Sequence, residues 1–171
     1  FTGGAYQIDR EGPTAALAAP TPATRNTPVS SIAVTFGEPV TGLAASAFTL
    51  TRDGTPLDLS AATVGGSGTA FSLDGLTGLT AADGVYVLTL DASSAAVFDD
   101  AGNPLAGDAT ATFTVDATRP TVSFAAVPTA PTNAAEVVFT VTFSEPVTGF
   151  ALGLPALTVT GGAPGAAITA V

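Results

Sequence analysis

The side chains able to do chemistry in this 171-residue chain are almost all carboxylates. Asp and Glu number 14 against 4 Lys and Arg, and there is no His and no Cys. Without imidazole or thiol, a zinc site, a Cys–His dyad and a Ser–His–Asp triad are excluded within the chain. What remains is a set of hard oxygen donors in three separate stretches. Asp9 and Glu11 lie near the start, Glu38 sits in the segment Thr35–Ala44, and Asp99, Asp100 and Asn103 occupy one short run, with Asp108 just beyond. If these stretches meet in space, their charges repel unless something neutralises them. Hard oxygens in number favour Ca²⁺, which takes about 6–8 oxygen ligands. The alternative is that each carboxylate caps its own loop by accepting backbone N–H bonds, as Asp and Asn do in turns. No EF-hand spacing occurs, so spacing does not choose between the two.

The same groups do not make a hydrolase. Asp99 and Asp100 are adjacent, whereas two catalytic carboxyls flanking a glycosidic bond stand about 5–10 Å apart. Two Tyr and no Trp leave no aromatic cleft for a sugar. No enzymatic activity is expected, and no cofactor is required; Ca²⁺ is the one candidate ion. A net charge of −10, with Arg10, Arg25, Arg52 and Arg119 scattered singly, argues against nucleic acid. No apolar run approaches the roughly 18 residues a membrane span needs.

The elements that must position these carboxylates are strands. Only 11% of the residues are charged, well under the usual figure of about 25%, so Thr and Ser must supply most of the polar surface. Period-two alternation recurs. Ile32, Val34 and Phe36 alternate with Ala33 and Thr35, and Val137, Phe139, Val141 and Phe143 alternate with Val138, Thr140 and Thr142. Phe48 and Leu50, Phe71 and Leu73, Tyr86, Leu88 and Leu90, and Phe113 and Val115 follow the same rule. Each run has one apolar face and one Thr-rich or small face, as a half-buried antiparallel strand requires. About seven strands are expected, near 14–19, 30–37, 46–52, 55–64, 69–74, 84–92 and 109–116. Turn signals separate them at Asp53-Gly54, Gly65-Gly66, Asp83-Gly84 and Ala101-Gly102-Asn103-Pro104. The expected fold is all-β, a Greek-key immunoglobulin-like sandwich without the Cys…Trp…Cys pin of antibody domains. Tyr86 is either a tyrosine corner or an ordinary core aromatic. With the usual sandwich connectivity, the loops holding Glu38 and Asp99 lie at the pole where the chain comes in, beside Asp9.

An internal repeat organises the chain. Residues 35–44 read TFGEPVTGLA and residues 142–151 read TFSEPVTGFA, eight of ten positions matching at an offset of 107 (142 − 35). The same offset links Tyr6 to Phe113, Asp9 to Asp116, Pro13 to Pro120, Thr14 to Thr121 and Asn26 to Asn133. A shared offset across distant segments marks a tandem array. The expected parsing is residues 1–9 as the last strand of a preceding repeat, 10–116 as one complete repeat, and 117–171 as the N-terminal half of the next. Both ends then fall inside repeats, and a longer polypeptide is expected.

The pattern PT…PTN…FTVTFSEPVTGF…LTVTGG over residues 120–162, with Thr35–Ala44 and the tail at residues 98–121, resembles the bacterial Ig-like repeats of large cell-surface, adhesin and biofilm-associated proteins. That resemblance covers nearly the whole chain. It implies an extracellular or cell-surface location and a structural role as rigid spacer or assembly unit of a stalk, filament or adhesin. The implied partners are neighbouring Ig-like repeats of the same or identical chains, in the limit a homopolymer. Two other roles stay open: a ligand- or glycan-binding adhesin repeat, and a spacer domain of a secreted hydrolase. Loop variation between repeats would favour the former, and a catalytic domain elsewhere in the full-length protein the latter.

Overall fold

The computed structural model describes residues 8–125 and 139–150. Residues 1–7 of the expected strand 1–9, Val137 and Val138 of the alternating run, and residues 151–171 lie outside the described residues. The chain divides into two compact units, one ending at Thr118 and the other beginning at Arg119.

The first unit contains, in chain order, β1 (Ala15–Leu17), β2 (Thr24–Arg25), β3 (Ser31–Val40), β4 (Phe48–Arg52), β5 (Thr55–Leu57), β6 (Thr63–Asp74), β7 (Gly84–Leu90) and β8 (Ala109–Val115). A short 3-10 turn, Ala45–Ala47, precedes β4. One sheet has the order β1-β3-β6 and the other β2-β8-β7-β4-β5. All pairings are antiparallel except β2 with β8. The connections β3 to β4, β5 to β6 and β6 to β7 each pass from one sheet to the other, giving an immunoglobulin-like sandwich.

The alternation read from the sequence sets the core. Ile32, Val34 and Phe36 on β3 are buried while Ala33 and Thr35 are exposed. Phe48 and Leu50, Tyr86, Leu88 and Leu90, and Phe113 and Val115 point into the same core from the facing sheet. Burying each such side chain stabilises by about 1.5–3 kcal/mol, so register is tightly specified: a one-residue slip would turn every one of them outward.

Glu38, expected in the loop after a strand at 30–37, lies within β3, which runs on to Val40. Two further expected elements differ. The strands expected at 55–64 and 69–74, parted at Gly65-Gly66, are instead the three-residue β5 and the long β6, which runs through both glycines. Gly66 does not open into a loop. A Cβ there would lie 2.3 Å from the Ala70 carbonyl oxygen, so the strand bends sharply on itself. Val40 then pairs with Gly68 after a bulge in the β3–β6 ladder. β2 was not expected at all, since two residues are too few to show a period.

Tyr86 is a tyrosine corner. Its ring is fully buried and stacked on Phe113 at 5.1 Å with planes 7° apart. Its hydroxyl donates to the Ala82 carbonyl at 2.7 Å. Tyr86→Phe keeps the stack and removes that bond, so it is expected to lower unfolding free energy by about 1 kcal/mol. Tyr86→Ala is expected to cost about 3–5 kcal/mol, mostly through the cavity. Urea melts of the two variants check the split.

In the second unit β9 (Val122–Ala125) pairs antiparallel with β10 (Thr140–Phe143). The register matches that of β1 with β3. Ala15 faces Phe36, and Val122 faces Phe143, each partner displaced by 107 (122 − 15 and 143 − 36). The 3.0 Å bond from the Gly37 N–H to the Thr14 carbonyl recurs from Ser144 to Thr121, also at 3.0 Å. Gly42 and Gly149 both adopt left-handed backbone, φ 86° and 78°.

Candidate metal centre at the N-terminal pole

Three backbone contacts bring the acidic segments together. The incoming segment is held at Pro13, whose carbonyl accepts the Ala106 N–H at 2.9 Å. Its neighbour Gly12 lies so close to the following loop that a Cβ there would sit 2.0 Å from the Pro104 carbonyl oxygen. The end of β3 is tied to the same loop by a two-way bridge: Thr41 N–H donates to the Phe98 carbonyl at 2.9 Å, and Phe98 N–H to that of Thr41 at 3.1 Å. Glu38 therefore stands beside Asp99, and Asp9 reaches both from the linker.

Carboxylate oxygens of Asp9, Glu38 and Asp99 lie within 4.8 Å of one another. Asp9 is exposed, Glu38 half-buried and Asp99 buried. Asp99 is braced by Asn103, whose backbone N–H donates to Oδ1 and whose side-chain amide donates to Oδ2, both at 2.8 Å. Burial opposes ionisation of Asp99. The donors from Asn103 and from the Ala101 and Gly102 backbone outweigh it, and the carboxyl is held below its ordinary range. Glu38 is the opposite case. Its own desolvation comes first, then the charges of Asp99, Asp9, Asp100 and Glu11, and together they push its pKa up. A carboxylate with fixed donors and a second one short of positive charge are what a hard cation would complete.

The six residues expected here divide into roles. Asp9, Glu38 and Asp99 converge. Glu11 and Asp100 lie close enough to act on Glu38 by charge, but outside the group of three. Asn103 supplies its side-chain nitrogen to Asp99 and so orients that carboxylate. The capping alternative describes Asp9 and Asp99 as well, since Asp9 Oδ1 accepts the Glu11 N–H at 3.1 Å and Asp99 Oδ1 accepts the Asn103 N–H, and it also describes acids away from the pole. Asp108 accepts the Ala92 N–H at 2.8 Å, and Asp58 and Asp91 hold Ser60 and Ser93. The sequence offered no signal for Gly12 or the Thr41–Phe98 bridge, because neither close approach leaves a periodic trace.

A family model for the bacterial Ig-like domain matches residues 9–115. No curated protein and no solved structure matches the chain. The matched stretch runs from Asp9, at the candidate centre, to Val115 at the end of β8. Because it takes in the eight strands of the sandwich among the described residues and 107 of 171 residues (115 − 9 + 1), the chain belongs to the bacterial Ig-like domain family.

Proposed function

We propose that this chain is a structural module of a tandem extracellular array, a stalk, filament or adhesin spacer, whose N-terminal pole binds Ca²⁺ to fix the incoming linker. Domains of this type typically occur in surface or extracellular bacterial proteins. No helix among the described residues is long and apolar enough to cross a membrane. The recurrence of the β1–β3 register in β9–β10 supports an array with residues 10–116 as one repeat and 117 onward as the start of the next.

The observation that carries the ion is the origin of the three carboxylates. Asp9 comes from the linker, Glu38 from β3 and Asp99 from the loop before β8. A cation shared among them would cross-link the linker to the sandwich. Backbone carbonyls and water would fill the rest of its shell. Extracellular Ca²⁺ modules of this openness have Kd on the order of 10⁻⁴–10⁻³ M. At about 10 mM free Ca²⁺ the folded state then gains about 1.4–2.7 kcal/mol.

The test is thermal melting of the full chain with Ca²⁺, with Mg²⁺ and with chelator, alongside calorimetric titration. A Ca²⁺-specific rise of several degrees is expected, absent with chelator. Equal melting curves under all three conditions, with no heat of binding at millimolar Ca²⁺, would sink the proposed ion and leave the fold assignment standing.

A further inference from the structure

We propose that Asp83 is a clamp on the outgoing segment, fixing the direction in which the chain leaves the sandwich. The β7–β8 ladder ends where Gly84 pairs with Val115. Beyond it the outgoing chain has one more backbone tie, from the Asp116 N–H to the Arg25 carbonyl at 2.9 Å. After that a single side chain takes over. Asp83 Oδ1 accepts the Ala117 N–H at 2.7 Å, and Oδ2 accepts the Thr118 hydroxyl. One carboxylate thus extends the ladder by two residues without any backbone pairing. The next residues are Arg119 and Pro120, and Pro120 has no N–H to offer a strand.

The start of β7, just after Asp83, is anchored at Val85. Val85, two residues on, donates its N–H to Asp53 Oδ1 at 2.8 Å, and Asp53 N–H donates to the Val85 carbonyl at 2.8 Å. The Asp83 carboxylate is therefore presented next to a braced strand end. Its hydrogen bonds to Ala117 and Thr118 hold its pKa below the ordinary range, as expected for a charge-assisted acceptor. The candidate metal centre lies at the other pole, so this restraint is the domain's own and needs no ion.

The readout is ¹⁵N relaxation and amide exchange at Ala117 and Thr118 in the full chain. In Asp83→Ala, order parameters at these two residues are expected to fall from about 0.85 to below about 0.6. Amide protection of Ala117 should drop by roughly tenfold or more, while Tyr86, Leu88 and Leu90 keep theirs. Thr118→Val removes one donor, leaves β7 untouched, and is expected to give a smaller loss confined to Thr118. Chelator should change none of this. Unaltered order at Ala117 and Thr118 in Asp83→Ala overturns the clamp. So does a loss shared equally by β7 and β8, or a Thr118→Val protein in which Thr118 is as ordered as before. Loss of the Ca²⁺ effect on melting would overturn the cation proposal and leave the clamp intact.

Discussion

Gly42→Ala is expected to destabilise the first unit by about 2–5 kcal/mol and to lower its melting temperature by on the order of 10–20 °C. Two costs coincide there. The residue sits at φ 86°, where an L side chain meets its own carbonyl, at about 1–2 kcal/mol. A Cβ would also lie 1.9 Å from the Ala96 carbonyl oxygen. That atom is backbone, so it cannot rotate away, and the loop before β8 must move by an ångström or more. Thr41, one residue earlier, carries the bridge to Phe98 that sets Asp99 beside Glu38. The substitution is therefore expected to weaken the Ca²⁺ response together with stability. Gly54→Ala separates the two costs. Gly54 has φ 79° with nothing within 4 Å of a Cβ, so only the backbone strain of about 1–2 kcal/mol should appear. If both variants melt alike, the close approach of Gly42 to Ala96 contributes nothing.

The contrast shows where sequence reading works. Alternation named the core residues of β3, β4, β7 and β8, because one buried face leaves a period of two in the chain. It also brought Asp9, Glu38 and Asp99 to one pole, through connectivity common to such sandwiches. Features fixed by one contact between distant segments left no such trace. Thr80 is a fully buried hydroxyl, bonded to both backbone groups of Val29 and to the Leu76 carbonyl, yet in the sequence it is one Thr among many. Asp83 looked like half of an Asp-Gly turn, and its hold on Ala117 and Thr118 spans 34 and 35 residues. Gly65 and Gly66 signalled a reversal, and the chain does fold back there, Gly65 lying against Ser72 and Gly66 against Ala70 and Phe71. What the dipeptide could not show is that β6 carries on through the bend and that only its part from Gly68 onward pairs with β3.

Glu38→Gln is expected to do two things that pull in opposite directions: raise the stability of the ion-free protein at neutral pH and abolish most of its Ca²⁺ response. The sign follows from the raised pKa of Glu38, whose ordinary value is 4.5. A carboxyl that ionises less readily when folded makes its ionised form a destabilising one. That cost is absent below about pH 4.5, grows as pH rises toward the folded pKa, and is full above it. Gln has no charge at any pH, so the stability difference between variant and parent should be near zero at pH 4 and positive at pH 7. The difference is the useful quantity, since Asp58, Asp83, Asp91 and Asp99 have lowered pKa values and pull the curve the other way, losing stability as pH falls below 3.8. High salt should reduce the gain without removing it. Desolvation is the largest cause of the Glu38 shift and is not screened, whereas the charges of Asp99, Asp9, Asp100 and Glu11 are, with a Debye length of about 3 Å at 1 M. For Ca²⁺, losing a ligand should weaken binding by at least the roughly 10–100-fold that loss of an outer-shell partner costs. A variant that is more stable without the ion and indifferent to it is the signature of a carboxylate kept for a cation. A variant less stable than the parent at pH 7 would instead mean that Glu38 is held by contacts within the fold, and that the three carboxylates meet for structural reasons alone.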